Sequence, residues 1–274
     1  MNKLSLVLKK IFRVYPLQIF KDPLYLVIGI ASIYIIIFLY LPIIVSITKI
    51  LAQGISVDIV MSSLPVLWRS FVIALISTAI SIAIAIPISY SLSFYLKDKE
   101  KIIVSVLIIA PYWVGTLLKM YSLAYLLLIL ENITNQRILY TETSLYLGMI
   151  YNYTPLAIIP IYLAMERIDR IYIDSARILG AKTLDLIFRV VLPISYPGLI
   201  SGFVLVFTGS LGEMIVPQVL LGSPRYMLGQ WIYELTFTFR RFGDASLLSL
   251  LYLILTLVVL GYVSRRNGAR EIIL

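Results

Sequence analysis

An all-α membrane protein with about six transmembrane helices is the fold class that this chain predicts, on three observations. Of its 274 residues, 61% are hydrophobic and only 14% charged, with a mean hydropathy of +0.98. A soluble domain of this length cannot hide so much apolar surface. Six stretches reach the roughly 20 apolar residues that a helix needs to cross the hydrocarbon core: residues 24–47, 71–96, 102–130, 144–165, 194–221 and 245–264. The basic residues gather in the short segments between them, alternately dense and sparse.

Residues 1–23 form a basic segment carrying Lys3, Lys9, Lys10, Arg13 and Lys21. No small-residue cleavage site follows the first apolar run, so an uncleaved anchor is expected. Residues 24–264 are the transmembrane domain, and 265–274 a tail with Arg265, Arg266 and Arg270. The dense loops hold Lys97, Lys99 and Lys101, then Arg167, Arg170, Arg177, Lys182 and Arg189; the sparse ones hold Lys49, Arg69, Arg137, Arg225, Arg240 and Arg241. Dense loops face the cytoplasm. Both termini and the 166–193 loop are therefore expected inside a multi-pass cell-membrane protein, with the loops at 48–70, 131–143 and 222–244 outside. The net charge of +9 sets orientation; it does not mark a nucleic-acid partner.

Prolines 87, 111, 155, 160, 197 and 217 interrupt the spans. Singly each reads as a kink; together they favour a moving or cavity-lined bundle over a rigid anchor. Ala74, Thr78, Ser81, Ala85 and Ser89 form a small-residue stripe on the second stretch, and Gly198 with Gly202 one on the fifth. Such stripes admit a close helix neighbour, in the same subunit or another; packing within the chain is the favoured reading.

The chain has no Cys and no His, which excludes thiolate and imidazole metal sites, disulfides and the usual nucleophile–base pairs. The spans hold no carboxylate pair. No catalytic residue, metal or cofactor is expected.

Residues 166–193 form a charged stretch with helical periodicity between two apolar ones. It reads as a helix over 166–179, with Ile168, Ile171, Ile178 and Leu179 near one face. Gly180 is a stop, and a second helix over 183–191 has Thr183 as a possible N-cap and ends before Pro193. Gly180-Ala181-Lys182-Thr183 looks like the end of a phosphate-binding loop, but the earlier glycine and preceding strand are missing.

On shape alone such a loop is a solvated connection. Its residues say more. Asp174-Ser175-Ala176, then Gly180, Ile187, Leu192 and Pro193 resemble the EAA loop of ABC-importer permeases, with Asp for Glu and Ser for Ala. The resemblance extends over nearly the whole chain. Leu39-Tyr40-Leu41-Pro42 is similar to the family's opening span. Pro111-Tyr112-Trp113, Leu118-Lys119, Tyr151-Asn152-Tyr153, Glu166-Arg167-Ile168-Asp169 and Ser210-Leu211-Gly212-Glu213 resemble the spermidine/putrescine-type branch. This resemblance implies a type I ABC importer permease fold with a cytoplasmic coupling helix. It implies ABC ATPase subunits that grip Asp174, Ser175, Ala176, Gly180, Leu192 and Pro193. It also implies a second permease, identical or related, an extracytoplasmic solute-binding protein, and a polyamine or another small solute. ATP hydrolysis would sit on the partner.

Lys119 and Glu213 lie inside apolar stretches, roughly 27 Å beyond Lys101 and 30 Å beyond Pro193 at helical rise. They are expected at similar depth, as a structural ion pair in preference to a pathway site. In the pathway alternative Glu213 holds a passing cation, with Tyr112 and Trp113 adding cation–π contacts. The outer loop 222–244, with Pro224, Arg225, Trp231, Arg240 and Arg241, reads as a short interfacial helix facing the binding protein or merely anchoring. The rival reading of the whole chain is a secondary transporter driven by an ion gradient, for which more paired acids near the midplane are expected. A membrane enzyme ranks lower still.

Overall fold

Pro23 stands at the first helical position, where its missing N–H costs nothing, and the apolar run behind it forms α1, Pro23–Gln53. The computed structural model describes residues 23–53, 57–222 and 227–266. Lys3, Lys9, Lys10, Arg13, Lys21, Pro224, Arg225 and Arg270 lie outside those residues. α1 belongs to one compact unit and everything after residue 55 to another. Along α1, the Tyr34 and Phe38 rings pair one turn apart, tilted, at 4.3 Å.

The second unit is built of helices, with no strand among the described residues. α2 runs Val57–Phe94. Its 38 residues span about 57 Å, well beyond the hydrocarbon thickness, so residues 57–70, expected as loop, continue the second span as helix. α3 is Asp98–Trp113 and α4 is Thr116–Thr134. The expected single stretch 102–130 is thus two helices. Pro111 withholds a backbone donor, and Val114 and Gly115 turn extended behind it. α5 is Glu142–Glu166, started by Thr141, whose hydroxyl faces the Ser144 amide.

The elbow follows. Helix does not run on from Glu166 as expected. Asp169 accepts from the Ile171 amide at 3.0 Å, capping a separate α6, Arg170–Ile178. α7 is Thr183–Ile194. Its N-cap is Lys182, not Thr183. Pro193 lies inside α7 rather than beyond it, because residues 186–191 wind as a π turn that carries the chain into the proline. α8, Tyr196–Leu211, leaves α7 at a 78° bend.

The fifth stretch breaks as well: α9 is Ile215–Leu220, with Gly212, Glu213 and Met214 in the break. α10 is Leu228–Tyr233, continued by a π turn over Glu234–Thr238. α11 is Phe242–Arg266. Among the described residues, five helices are long and apolar enough to cross a membrane, and six if the bent pair α7–α8 is one span.

α2, α5 and α8 form the central packing. The small stripe of α2 is buried inside this unit, with Ala74, Thr78, Ser81, Ala85 and Ser89 wholly covered, and Ser89 donates to the Ile158 carbonyl. Gly198 presses on α5: a Cβ there would lie 2.6 Å from the Pro160 carbonyl oxygen. Gly198→Leu is therefore expected to lower stability by about 1–3 kcal/mol. The check is the thermal midpoint of the detergent-solubilised protein; an unchanged midpoint would mean that α5 and α8 separate at little cost.

Two ion pairs mark the ends of the bundle. Lys101 meets Glu166 at 2.6 Å beside the elbow. Arg69 meets Glu142 at 2.7 Å at the other end. There Leu220 accepts from the Tyr140 amide and the Ser144 hydroxyl.

Candidate functional site

The elbow is held stiffly. Gly180 has φ +85°, the left-handed conformation that glycine adopts without strain. Its amide donates to Arg177, and the Ala181 amide reaches back to Ala176 at 3.0 Å, closing both bonds of a Schellman turn. Ile173 is buried with Leu186, Ile187 and Val191, and Ala176 packs beside them. This fastens α6 to the π turn of α7. Asp174, Ser175, Gly180 and Pro193 are exposed; Ala176 and Leu192 are half-buried.

The expected apolar face of α6 is divided. Ile168 is buried, whereas Ile171, Ile178 and Leu179 are exposed, the last two at 86% and 88%. With Leu184 and Phe188, also exposed, they leave an uncovered apolar tip on an otherwise charged elbow. An apolar tip of this size on a rigid mount is the kind of surface that a partner covers.

Lys119 and Glu213 are brought into one buried cluster, at 5% and 9% exposure, but Asn152 stands between them. The Lys119 ammonium donates to Asn152 Oδ1 at 2.6 Å. The Asn152 amide in turn approaches Glu213 Oε2 at 3.5 Å, and Tyr153 donates its hydroxyl to the same oxygen at 2.6 Å. Glu213 Oε1 accepts from the Met214 and Ile215 amides at 2.9 and 2.8 Å, with Val216 at 3.4 Å. A carboxylate at the start of α9 satisfies amides that the helix leaves open. The cluster thus ties α4, α5 and the α8–α9 break together.

Of the expected aromatics, Tyr112 lies 5.6 Å under the Lys119 ammonium. Trp113 is 85% exposed and takes no part in the cluster's hydrogen bonds. Asn152 and Tyr153 were not among the expected site residues. Polar groups on an apolar span at the depth of Lys119 were the signal that would have found them.

The helix in the 222–244 loop packs into the bundle. Met227 and Leu228 are fully buried. The Leu228 amide donates to the Ser70 hydroxyl at 2.7 Å, and the Trp231 indole to the Ser63 hydroxyl at 3.0 Å. Gly229 lies so close to the Gly212 carbonyl that no Cβ fits. α10 is a wedge among α2, α9 and α11.

Bent spans, a buried polar cluster at a helix break and a stiff elbow fit a membrane transport subunit. Residues 85–270 match the family described as binding-protein-dependent transport system inner membrane component. The chain belongs to that family and has the type I ABC-importer permease fold. It is similar to the spermidine/putrescine transport system permease protein PotB of Haemophilus influenzae, at 29% identity over 221 residues, covering 76% of this chain and 77% of the relative. The match to PotB of Escherichia coli is 28% identical and spans about half of each chain, 50% and 54%. The inner membrane ABC transporter permease protein YdcU of the same organism is 25% identical, over 73% and 71%. In overall fold the chain is similar to a chain of the bacterial alginate ABC transporter crystallised with an alginate pentasaccharide-bound periplasmic protein. That likeness has a TM-score of 0.75 at 18% identity, covering 92% of this chain and 96% of the other.

Proposed function

We propose that this permease forms one half of a polyamine pathway and is driven through its elbow by an ATPase made as a separate chain. The observation that carries the reading is the apolar tip of Ile178, Leu179, Leu184 and Phe188 on the Schellman-locked elbow. An ATPase groove covers that tip, and Asp174, Ser175, Ala176, Gly180, Leu192 and Pro193 supply its rim and its turn. Both termini and the elbow face the cytoplasm, where the dense basic loops belong. A second permease, identical or related, completes the pathway, and a solute-binding protein delivers from outside. The similarity to spermidine/putrescine permeases supports a polyamine as the solute. This chain carries no covalent chemistry in the cycle.

The test is uptake of radiolabelled spermidine by proteoliposomes that hold the assembled transporter and its binding protein. Uptake is expected to need ATP on the elbow side and to survive an ionophore that collapses ion gradients. Uptake that persists without ATP and stops with the ionophore would overturn the reading in favour of ion coupling.

A further inference from the structure

A carboxylate taken even halfway out of water needs donors, and the described residues supply them to each buried or half-buried acid but one. Glu213 has the partners given above. Glu131 accepts from the Ile138 and Leu139 amides. Glu142 pairs with Arg69, Asp185 with Arg189, and Asp244 with Arg241. Glu234 is half-buried, yet no side-chain hydrogen bond or ion pair reaches it among the described residues. One helical turn earlier on α10, Gln230 is 5% exposed, and its side-chain oxygen is buried without a donor. Two acceptors thus lie one turn apart with no donor from the described residues.

Two aromatic rings share these turns. Tyr233 and Phe237 pair at 4.9 Å on the turns that carry Glu234, and Phe237 is exposed. The backbone here is a π turn, a form frequent at functional sites. Its mount is firm, because Ser63 and Ser70 hold α10 and Gly229 seats it on the α8–α9 break.

A group that satisfies a carboxylate, an amide oxygen and aromatic faces together is a donor-rich cation. We propose that Glu234, Gln230, Tyr233 and Phe237 form a station for an alkylammonium group of the solute, and that Glu234, not Glu213, is the acid that meets it. This assignment rests on the polyamine reading above.

The experiment compares spermidine uptake and binding-protein-stimulated ATP hydrolysis in the purified complex carrying wild-type chain, Glu234→Gln or Glu234→Asp. Losing one charge-assisted contact is expected to lower uptake on the order of tenfold in Glu234→Gln. Assembly and ATP hydrolysis should hold, and Glu234→Asp should keep the larger share of uptake. Glu234→Gln that takes up spermidine as wild type does would overturn the station and leave the polyamine reading standing. Wild-type complex that hydrolyses ATP but takes up no spermidine would overturn both. Failure of both variants to assemble would make Glu234 a structural acid and also overturn the proposal.

Discussion

Glu213→Ala is expected to lose folded protein, not merely transport. Truncation strips the partner from the Tyr153 hydroxyl, from the amides that open α9 and, through Asn152, from the Lys119 charge. An uncompensated buried charge with several orphaned donors costs roughly 3–5 kcal/mol. That is a large fraction of a typical domain's whole stability of about 5–15 kcal/mol. The measurement is the yield and thermal midpoint of the solubilised chain. Removing Lys119 at the same time, in a Lys119→Met, Glu213→Gln pair, leaves no bare charge and should recover much of the loss. A Glu213→Ala protein with wild-type stability but no uptake would mean that the carboxylate serves solute and not structure.

The second large effect concerns Gly180. Nothing in this chain lies within 4 Å of the place that a side chain would take, so any defect that substitution causes within the chain is conformational and not steric. Valine in the left-handed region costs about 1–2 kcal/mol, enough to open the Schellman turn and let the apolar tip wander. Gly180→Val is expected to insert in normal amount yet lose ATP-driven uptake by about tenfold, given that penalty. Less ATPase should be retained when the chain is purified. Gly180→Asn, whose residue type tolerates the same backbone, should keep most of both. Equal loss in the two variants would show that the turn's conformation is not what matters.

Hydropathy made the spans legible, because length and apolar character are properties of single segments. The breaks were written less clearly. Pro87 sits within an unbroken α2, while Pro111 precedes a true interruption; the residue is the same, and the difference lies in whether Gly115 follows and in what packs alongside. The pattern ends the second helix before Pro193, yet the π turn there carries the helix through. Lys119 and Glu213 stood out because charges in apolar runs are rare. Asn152 did not, since only its depth, matching that of Lys119, separates a bridging amide from a tolerated one, and its role exists only once three helices meet. Glu234 was hidden for a related reason. A lone acid in a loop looks solvated until the loop turns out to be a buried wedge.

The corner at Ser195 has a mechanical corollary. The Ser195 hydroxyl and amide both bond the Val191 carbonyl, and the Ser195 carbonyl accepts from Gly198 and Leu199. No glycine loosens the bend itself. The 78° angle therefore behaves as a crank with two fixed arms, the outgoing one being the 16 residues of α8, about 24 Å long. Turning the elbow by about 10° sweeps the Gly212 end through roughly 4 Å on that arm, which is about the thickness of one hydrocarbon chain.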